Sequence, residues 1–217
     1  MTGTRGKLLN AAIATLRDKG IAGTSARVIA TAAGVNQALV FYHFGSVAKL
    51  ISEACRESAA EQVEHHRQQF ARAASLDDLL TLGRQLHAWQ RDAGNVAVLA
   101  QVLAGARSDP SLAAAARQAL TLWISELETT LDRLLRTSPI SEIADTAGLA
   151  RAVAAAFVGI ELYEGADPDG AESAFAALAQ LSALIKALDG LGPAARRALH
   201  NRLRRTATAR PPPRPAS

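Results

Sequence analysis

Gln37 and Arg27 are the two side chains best shaped for reading bases, an amide for the edge of adenine and a guanidinium for guanine. Ser25, Tyr42, His43 and Lys49 cluster around them and are the types that meet phosphates, which fix register without reading sequence. Taken singly, each is an ordinary exposed polar residue, and His43 also suits a structural role. Their spacing is what gives them a joint meaning.

The stretch that carries them reads as two short helices joined by a tight glycine turn. Ser25 caps the first, and Ala26, Ile29, Ala30 and Ala33 fall on one apolar face. Gly34 stands where that helix must stop in a left-handed conformation, which glycine adopts without a Cβ clash. Asn36 then caps a second helix over about residues 37–43, with Val40 and Phe44 turned inward. Gln37, Ala38, Leu39, Tyr42 and His43 remain on its outside. A short capped helix presented after a glycine turn is how a helix-turn-helix places a recognition helix in the major groove.

Residues 24–50 resemble the DNA-binding signature of the tetracycline-repressor-type (TetR) regulators. The resemblance rests on Ile29-Ala30, Ala33-Gly34-Val35, the cap at Asn36, Phe41-Tyr42, His43-Phe44, Ser46 and Leu50. It implies that Arg27, Gln37, Ala38 and Leu39 meet bases and that Ser25 and His43 meet phosphates. The chain departs from the family at Phe41 and Val47, where Tyr and Lys are usual and commonly hold phosphates. Tyr42 and Lys49 are the nearby residues able to replace those contacts.

Charge is distributed to match. Residues 1–50 hold six Lys or Arg against Asp18 alone, a net +5, whereas residues 51–190 hold eleven against nineteen acids, a net −8. Residues 191–217 hold seven Arg and no acid. A basic head on an acidic body directs one end of the molecule toward a polyanion.

With 49% hydrophobic but only 4% aromatic residues, the core must be built from Ala, Leu, Val and Ile, and strand signals are nearly absent. The expected fold is all-α. Residues 1–46 form a three-helix head, 47–190 a larger ligand-binding and dimerisation body, and 191–217 a basic, Pro-rich, disordered tail. The first helix is expected over about Thr4 to Lys19, and a long helix from Gly45-Ser46 to about Ala73 links head to body. Further helices are expected from after Ser75 to about 92, from after the Gly94-Asn95 break to about 106, and over about 110–136, 145–164 and 171–189.

The last two helices are apolar around most of their circumference, so they must be buried on more than one side. Phe157, Ile160, Leu178 and Ile185 are accordingly expected at a homodimer interface, most simply a four-helix bundle. Arg151, Glu161 and Lys186 interrupt these segments, so neither is expected to cross a membrane. No apolar leader follows Met1, which points to the cytoplasm.

No Ser-His-Asp set, phosphate-binding glycine loop or cysteine pair is recognisable, and no cofactor or catalytic role is expected. Glu61, His65 and His66 offer too few ligands for a closed metal site and read as a solvated polar face. Cys55, the single cysteine, reads as a packing residue. The resemblance implies a small-molecule pocket in the body, for which Trp89, Gln101 and Trp123 are the candidate lining residues. The sequence therefore points to a homodimeric, ligand-modulated DNA-binding regulator, most simply a repressor acting at a pseudo-palindromic operator. The rival is a helical ligand-binding or enzymatic protein whose glycine turn is incidental.

Overall fold

Helix α1 (Thr4–Lys19) buries Leu8, Leu9, Ala12 and Leu16 on the face set by their helical spacing, and Gly20 ends it. We analysed a computed structural model, which describes residues 3–92, 94–136, 138, 141, 144–190, 192, 194–195, 197–198 and 201. Almost all of the basic tail therefore lies outside the described residues. Among these residues the chain is all-helical, with α2 (Ala26–Ala33), α3 (Ala38–Phe44), α4 (Val47–Arg72) and α5 (Leu76–Asp92) following α1. Next come α6 (Asn95–Gly105), α7 (Pro110–Leu135), α8 (Thr146–Glu164) and α9 (Pro168–Asp189), the last beginning three residues before its expected start.

The head packs around Leu8, Leu9, Ile29, Val40, Phe44 and Leu50, with Ala54 completing the cluster. Leu50 and Ala54 belong to α4, so the boundary expected after residue 46 falls at the start of a helix whose first turns finish the head core. A second cluster binds head to body. Leu16 of α1 meets Ile51 and Cys55 of α4, Val98 and Val102 of α6, and Leu112 and Ala116 of α7. Here α6 and α7 come close enough that a Cβ on Gly105 would lie 2.5 Å from Leu112 Cδ1 and 3.1 Å from Ile21 Cδ1. A larger residue there would need the Leu112 side chain to shift, so the glycine serves packing rather than backbone angles.

The long parallel body pair is α4 on α7, start beside start and end beside end. Arg133 of α7 closes it by donating to the carbonyls of Phe70 at 2.8 Å and Ala73 at 2.6 Å, satisfying acceptors that a helix C-terminus leaves open. Against this pair stand α5, α8 and α9. Helix α8 is long and apolar enough to cross a membrane by length and composition, contrary to the expectation from its charges. Within the fold, Glu161 of α8 is buried in the body and paired with His87.

The outward faces of α8 and α9 carry part of the expected set, since Ile160 and Leu178 line a groove there. Phe157 packs inward against the cluster of Phe70, Leu82 and Leu86, and Ile160 is buried against Ala171 and Phe175. Leu178 and Ile185 are half-buried. The large apolar groups left in solvent are Leu162 (42% exposed), Tyr163 (53%), Leu181 (57%) and Leu184 (58%). Between them a shallow groove is floored by Ala156, Gly159 and Ala177. Both helices carry apolar residues all round, so the sequence pattern alone does not choose which stripe faces inward.

Replacing Arg133 by Met keeps the apolar stem but removes both bonds to the α4 carbonyls. The variant should unfold at lower urea concentration, with a loss of about 1–3 kcal/mol. An unchanged midpoint would mean that water replaces the guanidinium without cost.

Candidate nucleic-acid interface and body cavity

The reading face is assembled by three caps. Ser25 Oγ accepts the Val28 N–H at 3.3 Å and starts α2. Gly34 takes φ 66° and ψ 36°, and the Val35 N–H reaches back to the Ala30 carbonyl at 3.0 Å. Both features define a left-handed helix stop. Asn36 Oδ1 then accepts the Ala38 N–H at 2.8 Å, and Ser46 Oγ accepts that of Lys49 at 3.1 Å to start α4. Each capping group satisfies a donor that would otherwise lack a helical partner.

Burial of Ile29, Val40 and Phe44 fixes the rotation of α2 and α3. It leaves Ser25, Arg27, Gln37, Ala38, Tyr42 and Lys49 exposed, Tyr42 at 81%. Arg27 and Lys49 form no ion pair among the described residues, so their charges face solvent. Arg5, by contrast, is held by Glu53 and Glu57 of α4 and lies over the Phe44 ring, a structural clasp rather than a free cation. Two residues sit deeper than expected. Leu39 packs against the head core, and His43 is half-buried with its ring edge-on to Tyr42 at 5.0 Å. Phe41, which replaces the usual tyrosine, is half exposed beside them.

Residues 8–54 match the family model described as bacterial regulatory proteins, tetR family. The head resembles the tetR type. Beyond the head, the whole fold resembles solved TetR-like regulators. A transcriptional regulator from Rhodococcus sp. RHA1 is 21% identical with a TM-score of 0.67, covering 88% of this chain and 100% of that one. The multidrug-binding protein EbrR complexed with proflavin is 26% identical with a TM-score of 0.58, over 82% and 99% of the two chains. FadR from Bacillus subtilis in complex with stearoyl-CoA is 14% identical with a TM-score of 0.67, over 86% and 99%. No curated protein matches the sequence.

Within the body, a cavity of about 210 Å³ runs from Ile13 and Val102 beneath the head to Phe175 and Leu178 on α9. Trp123 lines it. Trp89 and Gln101 do not. Trp89 is 38% exposed with its ring edge-on to His66, and Gln101 Oε1 accepts the Ile21 N–H at 2.8 Å, joining α6 to the head. The sequence reading missed the polar lining groups Ser58, Gln62 and Gln90, because nothing local distinguishes them from other helical surface residues. Cys55 also lines the cavity, and burial pushes its thiol up to about 11.

His66 was expected on a solvated face but is buried between Trp89 and Trp123, with Nδ1 2.6 Å from Gln69 Oε1. No group of metal-ligating side chains occurs among the described residues. Behind the cavity wall, His87 Nδ1 lies 3.0 Å from Glu161 Oε1, and its Nε2 lies 3.3 Å from Glu164 Oε2. Burial raises the Glu161 carboxyl above its ordinary value, while its hydrogen bond to His87 opposes that rise.

A raised carboxyl favours the folded chain only while it is protonated in the fold. Its contribution is fully present below the ordinary glutamate value of 4.5 and is lost as pH climbs through the higher folded value. Thermal melts of the full chain should therefore show stability falling as pH rises above the ordinary glutamate value, less steeply in Glu161→Gln. Parallel profiles for the two proteins would exclude Glu161 as the source.

Proposed function

We propose that this chain is a homodimeric, sequence-specific DNA-binding transcriptional regulator, a cytoplasmic repressor whose hold on DNA is modulated by a small molecule in the body cavity. The observation that carries this reading is the tetR-type head, with the first turn of its α3 pointed outward and its flanking cations unpaired. Gln37 and Arg27 would read base edges, and Ser25, Tyr42 and Lys49 would hold phosphates. Ala38 is small enough to let the backbone approach the groove, while Leu39 and His43 contribute mainly by fixing the angle of α3.

Dimerisation is supported by the apolar stripe of Leu162, Tyr163, Leu181 and Leu184. Each Å² of such surface left in water costs about 25 cal/mol, and a two-fold axis would bury the stripe against itself. Two heads placed by that axis would meet successive major grooves about 34–36 Å apart, or a multiple of it. The acidic body keeps its own surfaces away from the polyanion, which favours approach through the basic heads.

Modulation is supported by geometry between cavity and head. Helix α6 lines the cavity with Asn95, Val98 and Val102, while its Gln101 holds Ile21 and its Asn95 Oδ1 accepts from Arg17 Nη2 at 3.4 Å. A ligand that shifts α6 must alter those bonds, and the coupling then acts equally in both directions. EbrR with proflavin and FadR with stearoyl-CoA give precedent for ligands in this fold. A purely ligand-binding or enzymatic role would leave the capped reading face without a purpose.

Selection of bound sequences from random duplex DNA tests the proposal, and a near-palindrome bound with steep salt dependence is the expected result. Against that site, Gln37→Ala should lose roughly 1–3 kcal/mol and relax preference at one base pair. Equal losses on selected and scrambled DNA would show that Gln37 is not a base reader. For assembly, Leu181→Glu with Leu184→Glu should sediment as monomer and bind the selected site far more weakly, whereas a monomeric unmodified protein at micromolar concentration would end the two-groove mechanism.

A further inference from the structure

The cavity wall has a chemical signature of its own. None of its lining side chains carries a charge, although it touches α1 and all of α4 to α9. A volume of about 210 Å³ spread along so many helices describes a narrow channel rather than a round chamber. Its walls are Leu, Val, Ile, Phe and Ala for most of their length, with Trp123 near the middle. A carboxylate or ammonium placed inside would lose its water without gaining a counter-charge. The buried pair of His87 and Glu161 does not supply one, because both stand behind Phe157 and Phe175 and are engaged with each other.

Apart from Asn95, whose Oδ1 accepts from Arg17 at the α6 end, the wall has one polar run, and it is incomplete. Gln62 Nε2 donates to Ser58 Oγ at 3.1 Å, and Gln90 Nε2 donates to Gln62 Oε1 at 3.4 Å. The run ends at Gln90 Oε1, which is buried and has no hydrogen-bond partner. Because the Ser58 hydroxyl both donates and accepts, the run can also be set in the opposite sense, so that Gln90 presents its amide N–H instead. In either setting one unpaired group remains, and a buried unpaired polar group is costly until something meets it.

We infer that the cavity binds an elongated, uncharged, mainly aliphatic molecule whose single neutral hydrogen-bonding group, of the alcohol type, pairs with Gln90. This rests on the proposed role of the body as the effector-binding part of the chain. The apolar tail lies along the leucine and valine wall, and the polar group completes the run from Ser58 through Gln62 to Gln90. Selectivity among molecules of equal length then follows from charge: a neutral end is accepted, and a charged end of either sign is refused.

The test uses three ten-carbon probes on the full chain at mildly alkaline pH: decan-1-ol, decanoate and decylammonium. Binding is read by Trp123 fluorescence with Trp89 replaced by Phe, and by calorimetry. Decanol should bind at least about tenfold more tightly than either ion. Gln90→Leu should weaken decanol by roughly three- to tenfold while leaving the two ions unaffected. Gly83→Leu is the occupancy control, since a side chain at Gly83 meets nothing within 4 Å and would enter the free space of the wall. It should reduce all binding. Equal or tighter binding of decanoate or decylammonium, decanol affinity unmoved by Gln90→Leu, or no binding of decanol at all would each overturn the inference. Binding to the selected DNA is measured in parallel without probes. Loss of that activity would sink the regulator reading while decanol binding stood, and the reverse result would sink only the ligand class.

Discussion

One continuous helix holds this molecule together. The first turns of α4 complete the head core through Leu50 and Ala54, its next turn enters the shared cluster through Ile51 and Cys55, and its far end is clasped by Arg133. A head of this size buries too small a fraction of its surface to be robust alone. Its stability is therefore borrowed from the body through α4, and any rotation or bend of that helix is felt by α3. The clasp of Arg5 on Glu53 and Glu57 reinforces the same dependence from the other side, fixing α1 to α4.

The head was legible in the sequence because its determinants are local. A cap, a left-handed glycine and a second cap act within a few residues, so Ser25, Gly34 and Asn36 announce themselves by type and spacing. The helix order was legible too, since Gly20, Gly94 and Asp109-Pro110 punctuate long periodic runs. The body site was not. Gln101 looks like a pocket residue among apolar neighbours but is spent on the Ile21 backbone, eighty positions away. His66 looks solvated beside His65 and Glu64 but is enclosed by two tryptophans brought in from α5 and α7.

Long-range pairing also explains how α8 sits in the fold. As a sequence, Glu161 marks a polar break in an apolar segment. In the fold it is almost fully buried, satisfied on one oxygen by His87 from α5, and its helical phase turns Phe157 and Ile160 inward with it. A partner 74 residues distant has no local signature. Once that single buried contact is fixed, the phase of α8 follows, and the outward stripe of Leu162 and Tyr163 is what remains.

Cavity, shared helix and outward stripe constrain one another. Ile13 is partly buried against both the head core and the shared cluster, and it also lines the cavity. Phe157 and Leu178 line the cavity from helices whose opposite faces carry the exposed stripe. Close-packed elements move as units rather than deforming smoothly, so a molecule filling the channel acts on α1 at one end and on α8 and α9 at the other. It can redistribute the two heads only by as much as it fits one arrangement better than another. A neutral aliphatic ligand gains most of its affinity from the wall, so its leverage depends on how closely α6, α1 and α9 close around it. The single polar run at Gln90 would set which molecules enter, and the apolar wall would set what they change.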